Sequence, residues 1–293
     1  MITRTVIVLA ATTLALSGCG GSPTTKGKLD VVAAENVYGN IAAQIGGPHV
    51  SVTSILTDPN ADPHLFEPDT SSGLAVAKAK VVLQNGLGYD AFMRKLEDAA
   101  PSSGRATVTM ADVLGVHGKD ANPHLWYDVP KLGRIGEAIA SAFERADPRH
   151  ASAYRAGLSR FDRSLAPLRK VVVDIRTRFH GVAVAYTEPV PGYLVSAASL
   201  RNLAPDSFTR SIEEGTEPSP SAVSAMSALV HLRRIRVLLY NAQAVSSITG
   251  QLRAAAQKAG IPVVAVRETL PQHLTFQQWQ LQQARALATA LAR

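Results

Sequence analysis

The chain has 293 residues, 46% of them apolar, with 30 basic and 23 acidic side chains and a formal charge of +7. That length accommodates two domains with a sizeable core. One cysteine, Cys19, excludes an intrachain disulfide and a cysteine-built zinc site, and the scattered basic residues, densest in HLRRIR at 231–236 without interleaved aromatics, give no basis for a nucleic-acid partner.

Residues 1–18 read as a signal peptide, with Arg4, an apolar run over 6–16 and then small residues. The run is shorter than the roughly 20 residues of a membrane-spanning helix. LSGC at 16–19 resembles the lipobox of bacterial lipoproteins, which implies cleavage before Cys19 and a lipid on that residue. Residues 19–28, rich in Gly, Ser, Thr, Pro and Lys, read as the lipidated tether. Near-continuous apolar runs at 29–35, 49–56, 79–86 and 105–111 predict strands, and 36–46, 70–78 and 88–98 predict helices between them. The rhythm resumes with strands at 181–187, 235–241 and 261–267 and helices at about 190–202, 218–231, 245–259 and 275–291. Strand–helix alternation of this kind argues for mostly parallel sheets flanked by helices. The fold class is therefore α/β in two lobes, an N-terminal one over 29–146 and a C-terminal one over 179–293.

Residues 147–178 join them. Asp147 is placed to cap a helix with Pro148 in its first turn. Tyr154, Leu158, Phe161, Leu165, Leu168, Val172 and Ile175 follow steps of three and four. One long, rigid connecting helix is expected, kinked or locally broken by Pro167; two ordinary bundle helices are the other reading. No glycine-rich phosphate loop follows a strand, and no Gly-x-Ser-x-Gly elbow is present. Ser219 and Ser221 sit where a helix start needs caps.

In open α/β sheets ligands bind past the carboxyl ends of the strands. Four candidate ligands lie there: His64 in DPHLFEPD, His124 in NPHLWYD, Glu188 in TEPVPGY and Glu268 in ETLPQH. Pro63, Pro123 and Pro189 adjoin three of them and stiffen their loops. Both histidines share the context Pro-His-Leu-aromatic, in which Leu65 and Phe66 can anchor the first loop. Glu67 is placed to anchor its loop or to hydrogen-bond a ligand. Asp128 can cap the next helix or touch His124, and Asn241 and Gln243 are placed to hydrogen-bond the ligands. His117 and the remaining histidines have no matching context.

The motifs DPHLFEPD and NPHLWYD, with AYTEPVPGYL and IPVVAVRETLP, closely resemble those of the metal-binding receptors of zinc/manganese-type ABC importers, over essentially the whole mature chain. The resemblance implies two α/β lobes joined by a rigid helix and one metal ion in the cleft between them. It implies His64, His124, Glu188 and Glu268 as ligands, an ABC permease as partner, a lipid anchor on Cys19 and a monomer outside the cytoplasm. Glu188 stands where many zinc-carrying relatives have a third histidine, Glu268 where aspartate is common, and a histidine-rich loop is missing. Two imidazoles and two carboxylates suit manganese or ferrous iron, and zinc accepts the same set. One divalent transition metal, manganese or zinc with iron also admitted, is the expected cargo, and no catalysis is expected. A secreted zinc-dependent hydrolase and a metal-dependent surface adhesin are the alternatives.

Overall fold

The computed structural model describes residues 27–58 and 66–293; the signal peptide, Cys19 and His64 lie outside them. The chain opens with β1 (Leu29–Glu35), buried along almost its whole length because both faces of its sheet are covered. Then come α1 (Asn36–Gly46) and β2 (Val50–Leu56). Gly47, at φ +53°, ends α1 in a conformation that glycine adopts without strain. Next are α2 (Thr70–Lys78), β3 (Val81–Gln84), α3 (Ala91–Ala99), β4 (Ala106–Thr109), α4 (Met110–Leu114) and α5 (Leu132–Ala146). Asp69 starts α2 by accepting the Ser72 amide at 2.9 Å.

The first sheet is all parallel in the order β2-β1-β3-β4. Strand order therefore reverses at β1, which makes the crevice between the ends of β1 and β3 a switch point.

The expected connecting helix is two helices, α6 (Ala151–Ser164) and α7 (Ala166–Phe179). They meet at Leu165, which keeps right-handed helical angles, with Pro167 in the first turn of α7. Proline lacks an amide hydrogen and crowds the preceding turn, so the joint falls there. Asp147 makes no capping bond; its Oδ2 instead takes the hydroxyl of Tyr154 at 2.8 Å and Nδ1 of His150 at 2.5 Å.

The second lobe contains β5 (Ala183–Tyr186), α8 (Gly192–Ala197), β6 (Arg201–Asn202), α9 (Asp206–Glu213), α10 (Pro220–His231), β7 (Val237–Asn241), α11 (Ser247–Lys258), β8 (Val263–Val266) and α12 (Phe276–Leu291). Its sheet, also parallel, runs β6-β5-β7-β8 and so repeats the topology of the first. Ser219 caps α10, whereas Ser221 only bonds Ser219. Capping boxes start α11 (Ser246 with Thr249) and α12 (Thr275 with Gln278).

One apolar cluster runs through both lobes, from Val31 and Ile41 through Trp126, Leu132 and Phe161 to Leu239, Trp279 and Leu287. Smaller clusters back the outer faces, one around Leu238 and Phe208 and one around Val82 and Phe92. Among the described residues no helix is long and apolar enough to cross a membrane.

Candidate metal centre between the lobes

Three of the four candidate ligands are buried where the carboxyl ends of the two sheets face each other. His124, Glu188 and Glu268 are each exposed by 1% or less. His124 follows the loop after α4 and enters a single turn, Leu125–Tyr127, whose three side chains are fully buried. Its ring packs edge-on against Tyr89 and Trp126. Leu125 and Trp126 anchor the loop in the core, so the imidazole is held rather than free to turn.

Asn122 fixes which ring nitrogen is available. Its side-chain oxygen accepts the His124 amide at 3.0 Å and lies 2.7 Å from Nδ1. An amide oxygen only accepts, so Nδ1 carries the hydrogen, and Nε2 faces the other lobe. Nε2 lies 3.1 Å from Glu268 Oε2. Asn122 also reaches the C-terminal lobe, donating to the Pro189 carbonyl at 2.7 Å, and its own carbonyl accepts the Tyr193 hydroxyl at 2.9 Å. A Cβ at Gly192 would come within 2.7 Å of the Asn122 amide nitrogen, so glycine gives this side chain its room.

Glu188 follows β5 and Glu268 follows β8, with Asn241 at the end of β7 between them. The Asn241 side-chain amide donates to Glu188 Oε2 and, at 2.7 Å, to Glu268 Oε1. Its oxygen accepts the Gln243 amide at 3.0 Å. Gln243 in turn holds the Glu268 loop, accepting the amides of Glu268 at 2.6 Å and Thr269 at 3.3 Å while donating to Thr269 Oγ1 at 2.9 Å. The Tyr89 hydroxyl donates to Glu268 Oε2 at 3.0 Å. Burial, and then the negative charges of Glu268 and Glu35, push the Tyr89 phenol well above its usual range, so it remains a donor. Glu213 Oε1, on the other side of the ring, lies 3.9 Å from His124 Nδ1.

Two neighbouring buried carboxylates repel each other, and desolvation adds to the cost. The Asn241 amide and the Tyr89 phenol offset part of it. The arrangement suits a cation that replaces repulsion by shared coordination.

The other candidates are placed as follows. Phe66, the first described residue after the His64 loop, packs on Phe92 with ring centroids 5.0 Å apart, so that end of the loop is anchored. Glu67 is exposed. Asp128 fills neither of the roles offered for it, helix cap or partner of His124. Its carboxylate pairs with Lys131 at 3.0 Å and makes no cap bond, and the hydrogen-bond partner of His124 Nδ1 is Asn122. Among the described residues no three His, Cys, Asp or Glu side chains stand close enough to hold a metal by themselves; Glu188 joins the His124–Glu268 pair through Asn241. Asn122, Tyr89 and Glu213 were not among the candidates. Asn122 carried a signal, since an Asn two residues before a fixed residue often accepts that residue's amide.

The ZnuA family model, described as zinc-uptake complex component A, periplasmic, matches residues 31–290. The manganese-binding lipoprotein MntA of Bacillus subtilis is 31% identical over 170 residues, 54% of this chain and 54% of that protein. The metal ABC transporter substrate-binding lipoprotein SloC of Streptococcus mutans is 22% identical over 276 residues, 89% of this chain and 87% of that protein. In several such matches, the Bacillus protein among them, the chain spans about half the length of the curated relatives. The periplasmic zinc-binding protein TroA from Treponema pallidum superposes with a TM-score of 0.75 at 17% identity, covering 91% of this chain and all of TroA. That likeness establishes the two-lobed fold. With the family model spanning both lobes, the chain belongs to the ZnuA family of metal-binding solute-binding proteins.

Proposed function

We propose that this chain is an extracytoplasmic receptor that captures one divalent transition metal and passes it to the permease of an ABC importer. It turns over no substrate. It works as a monomer tethered to the membrane by a lipid on Cys19. The metal ligands are His64, His124, Glu188 and Glu268.

The observation that carries this reading is a buried imidazole of one lobe set against a buried carboxylate of the other, His124 Nε2 and Glu268 Oε2 lying 3.1 Å apart, with the buried Glu188 joined to Glu268 through Asn241. Two ligand atoms bound about 2.1 Å from one ion are roughly 3.0–3.4 Å apart, so the pair already has the spacing of neighbouring ligands. Asn241 and Gln243 hold the carboxylates, and Asn122 holds the imidazole, as outer hydrogen bonds do in metal sites. Oxygen-rich coordination favours manganese as cargo, with zinc and ferrous iron as competitors. Relatives named for manganese, zinc and iron binding support that range. A hydrolase needs an open coordination position beside a base; four protein ligands leave none on a tetrahedral ion.

Competitive titration of the metal-free protein with manganese, zinc and ferrous iron tests the proposal. One ion per chain is expected, with high-affinity binding lost in His64→Ala and His124→Ala. Undiminished affinity in both variants places the site elsewhere, and metal-dependent hydrolysis sinks the receptor reading.

A further inference from the structure

The basic run HLRRIR at 231–236 has no part in the metal centre. Residues 218–293 hold eight of the 30 basic side chains and one of the 23 acidic ones, Glu268. The whole formal charge of +7 therefore lies in this segment, while residues 1–217 carry 22 charges of each sign. Glu268 is buried at the metal centre, so the segment places no acid at its own surface.

The excess is concentrated in one place. Arg233, Arg234, Arg236 and Arg293 line a pocket of about 750 Å³ at the amino ends of β5, β7 and β8. No acidic residue lines it, and among the described residues none of these four arginines forms an ion pair. Arg236 is fixed in the wall: its Nε donates to the Leu291 carbonyl at 3.2 Å and its amide to the Ala183 carbonyl at 2.8 Å. Arg233 stands at φ +50°, in the left-handed turn that closes α10. Its amide and that of Arg234 bond back to the carbonyls of Val230 at 3.0 Å and Leu229 at 2.8 Å. Glycine adopts that conformation without strain and is the common residue at this point of a helix end. An arginine there adds a charge to the pocket and strains the backbone.

The simplest role for these arginines is to offset helix dipoles, because α10, α11 and α12 all end beside the pocket. The charges do not balance. Three helix ends carry about one and a half negative charges in all, against three guanidinium groups from the loop between α10 and β7 alone. More than one positive charge remains around a concave space even before Arg293 is added, and such a field draws an anion. Arginine matches phosphate in particular, since its planar fork donates two parallel hydrogen bonds.

We propose that this pocket binds a phosphate-bearing anion, carried by a small phosphorylated molecule or by a lipid headgroup. Leu232, 68% exposed beside the arginines, is an apolar contact that a lipid surface would take up. The site is separate from the metal centre. β7 runs from the pocket to Asn241, which holds Glu188 and Glu268, and its five residues span roughly 16 Å. The inference therefore stands or falls independently of metal capture.

The test uses the full chain with Cys19→Ala, so that no lipid on that residue tethers it to a vesicle. Pyrophosphate is titrated by calorimetry. Vesicles of phosphatidylglycerol in phosphatidylcholine, with phosphatidylcholine alone as control, are tested by cosedimentation. One saturable site per chain is expected, weakened by salt. Arg233→Ala/Arg234→Ala should lower the affinity on the order of tenfold or more. Arg160→Ala/Arg176→Ala removes the same charge from exposed positions on α6 and α7 and should change it by less than about twofold. Arg233→Gly removes one charge while relieving the turn, so affinity should fall without a fall in melting temperature. Binding of pyrophosphate assigns the phosphate to a small molecule, and binding of the phosphatidylglycerol vesicles alone assigns it to a lipid headgroup. Binding of neither probe, or a loss no larger in the pocket variant than in Arg160→Ala/Arg176→Ala, overturns the inference.

Discussion

His124 is aimed before any ion arrives. Asn122 holds its Nδ1 and its backbone amide together, and a wall of Tyr89 and Trp126 keeps the ring in place. Preorganisation of this kind lowers the entropy lost on binding. Asn122→Ala should therefore weaken metal binding by roughly 10- to 100-fold with a small effect on melting temperature, measured by competitive titration and calorimetry. Equal affinity in that variant would mean that core packing alone orients the ring. Much of this centre was legible in the sequence, because proline-flanked histidines and glutamates at strand ends advertise a fixed polar loop. Glu35 was not legible. A glutamate between an apolar strand and a helix reads as an ordinary helix-start acid, and only the packing of the loop after β3 shows that it is buried beside Asp90.

At the scale of elements, most strands and helices follow directly from apolar runs and their breaks; α1 and α2 fall on the expected residues. α5 follows Asp128, where a helix was expected to start, but begins four residues later and without a capping bond from that side chain. The stretch 190–202 is a short helix and a two-residue strand, since Ser199 takes a left-handed turn at φ +51° that a serine does not announce.

The connecting helices make two predictions. Gly157 on α6 sits so close to α1 that a Cβ there would lie 2.0 Å from the Ile45 carbonyl oxygen. Gly157→Ala should cost about 1–3 kcal/mol in denaturant unfolding, because backbone must move apart to admit the methyl group; an unchanged midpoint would mean that the two helices slide freely.

Asp147, at the entry to α6, is subject to burial, which would raise its pKa. Hydrogen bonds from His150 and Tyr154, together with the charges of His150 and Arg149, outweigh that effect and hold the carboxyl below the usual range. A lowered folded-state value stabilises the protein above the unfolded pKa, and that stabilisation is lost as pH falls through the folded value. Asp147→Asn should thus lose about 1 kcal/mol at neutral pH, and the gap should close in acid below the ordinary carboxylate range. A gap that persists unchanged in acid would show that the charge is not involved.

The whole molecule is two sheets of the same topology whose carboxyl ends face one polar centre. The lobes share an apolar core, and hydrogen bonds cross between them at Asn36–Leu270, at Tyr127 to the Arg267 carbonyl and at Asn40 to the Phe276 amide. A centre built from both lobes on such a frame is held in shape largely by the fold itself. Its central claim is that one ion sits where these ligands meet. Anomalous X-ray scattering from crystals of the metal-loaded protein, recorded at the absorption edge of the bound metal, tests it most directly. The account predicts a single peak per chain within bonding distance of His124 Nε2 and the carboxylates of Glu188 and Glu268, with His64 closing the set. A peak away from these side chains, or none in protein shown to carry metal, would contradict it.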